Sequence, residues 1–426
     1  MKILYVSQYF PPEMGAPAAR VAELSRHWAK VGHAVTVLTG FPNHPTGVVP
    51  EEYRRKFRRL VMRESIDGTD VVRSWLLPFP NGKAYERMLN YSSFCVSAAT
   101  TGMFIARPDV LIATSPQLLV GIAGWWLSRI KRVPFVFEVR DLWPESLAAV
   151  GVGGSGSVLN RALGAVAGFL YKRADHIVVV APAFVDQLVK NWGVPRDKIS
   201  VVENGVETEL FAPLDSREVR RKLGIENRFV VLYAGTMGLA HGLDTVLDAA
   251  SQLQATFPEA LFFMIGEGAD KERVMRLAEQ RRLSNIRWIG QQPRENMPQL
   301  ISAADVCLVL LKKTELFKTV IPTKLLEFMS CGRPVILGVD GQAREILEQA
   351  NAGLFVEPEN SGDLSQTIEQ LASNTALRAA FGQNGRRYIV ERFSRHQTAS
   401  TYVRVLEKLV EGEGQQPAAK VARRYS

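Results

Sequence analysis

Short apolar runs alternate with helical stretches in two successive series along the chain. The first series contains the runs KILYVSQ, AVTVLTG, VLIATS, PFVFEVR and HIVVVAP, and the second contains FVVLYAG, ALFFMIGEG, IRWIGQ, VCLVLL, PVILGV and GLFVEP. Such runs are typical of parallel strands that are buried on both faces. Between them, residues such as Val21, Leu24, Trp28 and Val31 recur at helical spacing. The alternation predicts two doubly wound α/β domains.

The segment VVENGVETELFAP separates the two series, and we interpret it as a hinge. We predict an N-terminal Rossmann-like domain over residues 1–205 and a second one over residues 206–390. Residues 391–412 are expected to form a helix that crosses back to the first domain. Residues 413–426 lack apolar periodicity and are expected to be disordered.

Composition narrows the class of protein. The formal net charge of +9 favours an anionic partner, which could be a nucleotide, a phospholipid or a nucleic acid. Three widely spaced cysteines without a CxxC pair argue against a disulfide framework or a zinc site and fit a reducing cytosol. The N-terminal run is interpreted as a buried strand and not as a signal peptide. The apolar run LLVGIAGWWL at 118–127 is too short to cross a bilayer.

Glycine-rich loops follow several of the predicted strands. In open α/β sheets, ligands bind at the carboxyl ends of the strands, where loops and helix N-termini present free amides. The loops YFPPEMGAP, YAGTMGLAHGLD and MIGEG therefore predict a phosphate-binding edge, although each alone could be an ordinary strand-to-helix loop. The candidate donor-binding residues in these loops are Gly15, Ala16, Thr236, Gly238, His241, Gly266 and Gly268.

A nicotinamide dinucleotide site is disfavoured. Its fingerprint, G-x-G-x-x-G directly after the first strand, is absent from SQYFPPEMGAPAAR, which has a single glycine in the loop. An oxidoreductase is therefore not expected.

The stretch FEVRDLWPES places charged residues after a strand of the first domain. Arg140 could contact a phosphate or a sugar, Asp141 could orient or deprotonate an acceptor hydroxyl, and Glu145 completes the candidate catalytic group. The alternative is a helix-capping aspartate with a surface ion pair.

The stretch VIPTKLLEFMSCGRPVIL combines charge with a helix that precedes a buried strand. Lys324 lies at the helix start and could reach phosphate oxygens, while Glu327, one turn later, could accept hydrogen bonds from ribose hydroxyls. The alternative is an i,i+3 ion pair between the two. No D-x-D pair occurs, so we expect a leaving diphosphate to be neutralised by cations, amides and a helix dipole, without a metal.

Together, PPEMGAPAAR, NGVETELF, YAGTMG, HGLDTVLDAA, WIGQQPRENMPQLISAADVCLVL and PTKLLEFMSCGRPVI resemble the retaining glycosyltransferases of family 4, which have the GT-B fold. The stretch RDLWPES resembles a subgroup that builds bacterial O-antigen, capsule and exopolysaccharide, including N-acetylfucosamine and fucose transferases. The resemblance implies two Rossmann-like domains facing a cleft, a nucleotide-sugar donor that is usually UDP-linked, retention of anomeric configuration, and no required metal.

The resemblance also assigns roles to particular positions. The second glutamate of the family's E-x7-E motif falls on Glu327, which implies ribose binding, whereas the first falls on Thr319 and is missing. The subgroup's P-[ST]-K pattern supplies Thr323 and Lys324 instead.

Other family positions are changed in this chain. In the family, an arginine and a lysine usually clamp the pyrophosphate. Their positions fall near Thr236 and His241 in this chain, so neither of those two basic residues is present. The family's first-domain histidine corresponds best to Arg140, and its Gly-Gly loop to Gly15 and Ala16.

The acceptor and the location follow from the same resemblance and from a basic stretch, EEYRRKFRRLV. We expect a polyprenyl-diphosphate-linked sugar acceptor and a peripheral position at the cytoplasmic face of the membrane, with no nucleic-acid partner. Stretches 90–105 and 118–132 are expected to be core helices, or else to flank a polyprenyl groove. The candidate membrane-facing residues are Arg54, Arg55, Lys56, Arg58 and Arg59.

Two other classes of function stay open at this point. A non-hydrolysing UDP-sugar 2-epimerase shares the GT-B fold and would convert a donor without an acceptor. A non-catalytic module would bind a nucleotide or a nucleic acid without turnover.

Overall fold

The computed structural model describes residues 1–44, 46–80, 84–143 and 158–414. The chain forms two compact units. Unit 1 comprises Met1–Glu203 together with the chain from His396 onward, and unit 2 comprises Asn204–Arg395.

Unit 1 is built on an eight-stranded sheet in the order β3-β4-β2-β1-β5-β6-β7-β8. All neighbouring strands are parallel except β3 and β4, which form an antiparallel edge hairpin. The strands are β1 (Lys2–Val6), β2 (Ala34–Gly40), β3 (Val61–Ile66), β4 (Thr69–Ser74), β5 (Val110–Thr114), β6 (Phe135–Val139), β7 (His176–Val179) and β8 (Ile199–Val201).

Helices cover both faces of this sheet, as buried parallel strands require. They are α1 (Ala16–Lys30), α2 (Glu51–Phe57), α3 (Ala84–Met103), α4 (Leu118–Lys131), α5 (Val158–Arg173), α6 (Pro182–Trp192) and, at the C-terminal end of the described chain, α15 (Arg395–Gly414). Helix α1 begins after Gly15, has Pro17 in its first turn, and buries Val21, Leu24 and Trp28 against the sheet. Its end differs from the prediction, because Val31 is the exposed C-cap.

Unit 2 is built on a six-stranded, fully parallel sheet in the order β11-β10-β9-β12-β13-β14. Its strands are β9 (Phe229–Ala234), β10 (Ala260–Ile265), β11 (Ile286–Ile289), β12 (Val306–Leu310), β13 (Val335–Gly338) and β14 (Gly353–Phe355). Its helices are α7 (Arg217–Leu223), α8 (Asp244–Thr256), α9 (Lys271–Gln280), α10 (Met297–Ser302), α11 (Thr323–Ser330), α12 (Gln342–Ala350), α13 (Ser361–Ser373) and α14 (Thr375–Arg392).

Every strand predicted from the sequence is present, and the doubly wound α/β class is confirmed. The edge strand β3, its neighbour β4 and the short edge strand β8 were not predicted. Strand β3 is mostly exposed and carries charges, so it lacks the continuous apolar run that marks a buried parallel strand.

The C-terminal helix α15 packs within unit 1. The Trp28 indole donates to the Ala399 carbonyl at 3.0 Å, and its ring lies 5.3 Å from that of Tyr402. The helix continues to Gly414, so residues 413 and 414, which were expected to be disordered, are helical. The rest of that predicted tail, residues 415–426, lies outside the described part of the chain.

Candidate active site

Two neighbouring loops at the carboxyl edge of the unit 2 sheet are joined backbone to backbone. Gly235 and Met237 follow β9, and their amides donate to the carbonyls of Ile265 and Glu267, at 3.0 and 2.8 Å. A Cβ added to Gly266, whose φ is +138°, would lie 2.0 Å from the Gly235 carbonyl oxygen.

Gly268 is confined in the same way, because its Cβ would lie 2.2 Å from the Met237 carbonyl oxygen. The structure therefore gives Gly266 and Gly268 a definite role in the close approach of the two loops. Their predicted contact with a donor stays a prediction.

Lys324 reaches from the first turn of α11 to the end of β9. Its ammonium donates to the Tyr233 hydroxyl at 3.2 Å and lies 4.2 Å from the centre of that ring. A Cβ on Gly235 would stand 3.3 Å from the Lys324 Nζ, so the lysine packs closely against this glycine. Among the described residues no carboxylate lies within ion-pair distance of Lys324. Burial lowers its pKa from 10.5 to about 7, and Glu327 opposes that shift.

The loop that follows β9 contains the other predicted phosphate contacts. Thr236 is exposed, and its carbonyl accepts the Tyr233 hydroxyl at 2.6 Å. The His241 Nδ1 lies 3.4 Å from the Gly238 amide. Burial, with Lys324 nearby, lowers the pKa of His241 to about 3, so the imidazole is neutral near pH 7. His241 therefore brings a hydrogen-bonding ring to this edge and no charge.

Glu327 pairs with a cation that sequence analysis did not single out. The Arg294 Nη1 lies 2.7 Å from the Glu327 Oε1, and both side chains are mostly shielded from solvent. The Arg294 guanidinium also covers the Phe211 ring at 4.7 Å. The alternative pairing of Glu327 with Lys324 is not formed, since Lys324 is directed to Tyr233.

The position of Arg294 in the sequence could have identified it as a candidate site residue. It follows β11 in the segment QQPREN, and the carboxyl ends of all parallel strands share one edge. A carboxylate can accept about four hydrogen bonds, so the Arg294 pair leaves Glu327 capacity for ribose hydroxyls.

The start of α11 has no side-chain cap, and its N-cap is Pro322. Thr323 occupies the first helical position beside Lys324. Thr319, at the place of the missing motif glutamate, ends a 3-10 turn and donates its hydroxyl to the Leu316 carbonyl at 2.7 Å. The uncapped amides and the helix dipole make this end suitable for an anion.

In unit 1, Arg140 and the Gly15–Ala16 loop are brought together, since both follow parallel strands whose carboxyl ends share one edge of the sheet. The Arg140 guanidinium donates to the carbonyls of Ala16 and Pro17, at 3.1 and 3.4 Å. Its Nε is buried without a partner among the described residues. Arg140 thus holds the first loop in place, a role that sequence analysis did not assign to it.

Asp141 follows Arg140 in a buried environment. Its amide lies 3.4 Å from the Ser115 hydroxyl, and the Arg140 amide lies 2.7 Å from the same oxygen. Burial raises the pKa of Asp141, and Arg140 opposes the rise. A carboxyl with a raised pKa is suited to proton transfer. Glu145, the third predicted catalytic residue, lies outside the described residues.

Unit 1 also contains a buried ion pair between α1 and β6. The Arg20 guanidinium of α1 lies 2.9 Å from Glu138 of β6, and the Tyr5 hydroxyl donates to the other carboxylate oxygen at 2.6 Å. Arg20 also donates to the carbonyls of Val202 and Glu203. Burial would raise the pKa of Glu138, but Arg20, Arg140 and Tyr5 hold it below its usual value. Sequence analysis gave neither Arg20 nor Glu138 a role.

Glu13 was also missed. It lies in the loop after β1, and its Oε1 accepts from the amides of Asn43 and His44, both at 3.0 Å. Its Oε2 is buried without a partner among the described residues. Burial raises the pKa of Glu13 to about 7, against the opposing effect of those two amides.

The basic stretch around α2 is organised differently from the expectation. Tyr53 and Phe57 turn inward, since Phe57 packs on Phe41 and Trp75, and the Arg73 guanidinium lies over Tyr53. The aromatic side chains that would enter a bilayer are therefore engaged in contacts within unit 1. The remaining residues form an exposed, charged face: Arg54, Arg55, Lys56, Arg58 and Arg59.

Comparison with known proteins adds an independent finding. A family described as "Glycosyl transferase 4-like domain" matches residues 15–205, and one described as "Glycosyl transferases group 1" matches residues 215–388. The chain is a glycosyltransferase. The matches support the likeness to family 4. They do not reach the narrower likeness to fucosamine and fucose transferases, which stays a prediction.

The relatives agree in sequence and in fold. A protein of Escherichia coli K12 named as colanic acid biosynthesis glycosyl transferase WcaI is 25% identical over 87% of this chain and 92% of its own length. Among solved structures, sucrose-phosphate synthase of Thermosynechococcus elongatus has a TM-score of 0.76 at 19% identity, covering 96% of this chain and 99% of that one. Anabaena HepE, solved with UDP and glucose, has a TM-score of 0.72 at 19% identity with the same coverage. The GT-B fold is confirmed.

Proposed function

We propose that this glycosyltransferase transfers a sugar, with retention of configuration, from a UDP-sugar to a polyprenyl-diphosphate-linked acceptor in bacterial surface polysaccharide synthesis. The name of the E. coli relative supports the polysaccharide class, and the UDP complex of HepE supports a uridine nucleotide donor. We place the reaction at the cytoplasmic face of the membrane. Nothing in the comparisons favours the epimerase or the non-catalytic module.

The observation that carries the proposal is the environment of Lys324. The ammonium is partly buried, has a neutral tyrosine as its described hydrogen-bond partner, and lies beside the uncapped start of α11. A cation that is shielded from water without an ion-pair partner is costly, and a ligand that supplies the opposite charge lowers that cost. A diphosphate at this edge would supply the opposite charge, and the free amides of α11 would donate hydrogen bonds to it.

Glu327 would then hold the ribose. It lies one turn beyond Lys324 on the same helix, and Arg294 holds its carboxylate in place. The family's ribose glutamate coincides with this residue, and the hydrogen bonds of a charged acceptor are worth about 1.5–3 kcal/mol each.

In the proposed reaction the acceptor hydroxyl oxygen forms a bond to the anomeric carbon while the bond from that carbon to the diphosphate breaks. The hydroxyl proton passes to a diphosphate oxygen, and UDP leaves from the same face. Charge that develops on the diphosphate is met by Lys324 and by the α11 dipole, so the step needs no metal. In unit 1, Asp141 is the candidate to orient the acceptor hydroxyl, and Arg140 keeps the Gly15–Ala16 loop in position.

Calorimetric titration of UDP, GDP and NAD in the presence of a chelator tests the proposal. We expect UDP alone to bind, and Glu327→Ala to weaken its binding at least tenfold because two ribose hydrogen bonds are lost. Glu279→Ala, on the exposed face of α9, is the matched control and should leave the affinity unchanged. If UDP bound equally well to Glu327→Ala, Glu327 would be a partner of Arg294 only; if no nucleotide bound, the donor assignment would be wrong.

A further inference from the structure

The outward faces of α3 and α4 in unit 1 lack the charges of a solvated helix. No charged residue occurs from Met88 to Ala106 or from Leu118 to Ser128. Sequence analysis favoured core positions for these helices, but the structure exposes one row of each. The exposed large apolar side chains are Tyr85, Leu89, Val96, Met103 and Phe104 on and after α3, and Trp126 and Ile130 on α4.

The spacing of these residues defines a continuous surface. On α3 the exposed positions recur every three or four residues, and the polar members of the row are the uncharged Ser92 and Thr100. The most exposed residues are Phe104 at 82%, Val96 at 65% and Tyr85 at 58%, and on α4 the most exposed is Trp126 at 48%. Single exposed apolar residues are ordinary, whereas a row without charges on each of two packed helices is not.

Contacts between the helices place the two rows side by side. A Cβ on Gly102 of α3 would touch the Leu127 side chain of α4, and the Lys131 ammonium donates to the Met103 carbonyl at 3.2 Å. We call this surface the α3–α4 face.

Cations collect at one end of the α3–α4 face. The Arg107 guanidinium donates to the Arg132 carbonyl at 2.9 Å, and that of Arg129 donates to the Arg173 carbonyl at 3.0 Å. These bonds join the ends of α3, α4 and α5. The basic residues gathered there are Arg107, Arg129, Lys131, Arg132, Lys172 and Arg173.

We propose that the α3–α4 face docks on an anionic phospholipid membrane, with Val96, Phe104 and Trp126 entering the interface and the basic end contacting lipid headgroups. An apolar helix face beside clustered Lys and Arg is the pattern of an interfacial helix, and tryptophan favours the headgroup level. Basic side chains add attraction to anionic lipid that salt screens. The choice of a membrane as occupant rests on the proposed lipid-linked acceptor; the surface itself does not.

Sedimentation with vesicles tests this assignment on the full chain. We expect binding to vesicles of equal phosphatidylcholine and phosphatidylglycerol, and weaker binding to phosphatidylcholine alone or at high salt. The triple variant Val96→Asp, Phe104→Asp, Trp126→Asp should lose at least tenfold in partition coefficient. Val31→Asp, at an equally exposed position of α1, should bind like the parent protein.

A second comparison separates this face from α2. Replacing the five basic residues of 54–59 by glutamine should change vesicle binding less than twofold. If that variant lost binding while the triple variant kept it, α2 would be the docking segment and the proposal would be overturned.

Other outcomes also decide the matter. Absence of vesicle binding by the parent protein would overturn the proposal, as would a dimer in sedimentation velocity that the triple variant dissociates, because the face would then join two copies. Phe104→Asp alone, in the turn after α3, is the variant least able to disturb folding, and thermal unfolding checks it. Vesicle binding needs no nucleotide, so its failure is distinguishable from a failure of UDP binding.

Discussion

Each unit places a tyrosine of its first strand against a charged side chain, and the two arrangements differ in how completely that charge is paired. In unit 1, the Glu138 carboxylate has both oxygens engaged, by Arg20 and by Tyr5. In unit 2, the Lys324 ammonium has the Tyr233 hydroxyl, which is neutral. We call the unit 1 arrangement closed, because its charges are paired, and the unit 2 arrangement open. The pKa of Glu138 is held below its usual value, so the closed arrangement stays charged near neutral pH. In the open arrangement the pKa of Lys324 falls to about 7. The Arg20–Glu138 pair therefore supports the fold, whereas Lys324 is the charge that we propose meets a ligand.

The largest expected effect comes from breaking the closed arrangement. Arg20→Met would leave Glu138 buried without its cation, and we expect a loss of about 3–5 kcal/mol in the free energy of unfolding. Urea denaturation, with hydrogen exchange of β1 and β6, measures it. Arg20→Met combined with Glu138→Leu should recover much of the loss, since no unpaired charge remains. If the single and double variants were equally stable, the unpaired charge of Glu138 would not be the cause of the loss.

A smaller effect is expected from removing the ammonium of Lys324. Lys324→Met should weaken UDP binding by about tenfold to a hundredfold, the equivalent of about 1.5–3 kcal/mol for a charge-assisted contact. Its stability should equal or exceed that of the parent protein, because a desolvated ammonium is removed. Calorimetry and urea denaturation test the two halves of this expectation. Lys318→Met, at an exposed position paired with Glu315, is the matched control, and a loss of stability in Lys324→Met alone would mean that the site is structural.

The smallest effect concerns pH. Binding of an anion favours the charged form of Lys324, so its pKa rises on binding and a proton is taken up above pH 7. UDP affinity should therefore fall by about tenfold between pH 6.5 and pH 8 as the free ammonium, with its pKa of about 7, loses its proton.

Lys324→Arg supplies the comparison for that profile, because a guanidinium stays charged over this range. Titration of UDP itself affects both proteins equally. The pH profile of the arginine variant should be flatter than that of the parent, and two identical profiles would remove Lys324 as the cause.

Much of this molecule follows from local pattern. Strand β9, β1 after Lys2 and β5 before Thr114 are apolar runs, and such runs are typical of strands inside a covered parallel sheet. Parallel strands then bring their carboxyl ends to one edge, which is why the loop after β9 and the start of α11 could be expected at the same edge of the sheet. The edge strand β3 escaped prediction because exposed strands carry ordinary polar residues.

The partners of the charged residues did not follow from local pattern. Arg294 lies 33 positions from Glu327, and Arg20 lies 118 positions from Glu138. No periodicity connects such residues, since their distance depends on how the strands and helices pack. Gly266 and Gly268 show the same limit, because a glycine that meets another backbone resembles in sequence a glycine that meets a phosphate.

The sequence by itself determined the two doubly wound sheets and the strand edge where charged residues collect, because both depend on hydrophobic periodicity and on the direction of parallel strands. Only the tertiary structure decided which charges are paired, and which helices of unit 1 keep an apolar face in solvent. Pairing and exposure depend on distances between segments far apart in the chain, and burial changes the energy of a charge more than any neighbour in sequence does.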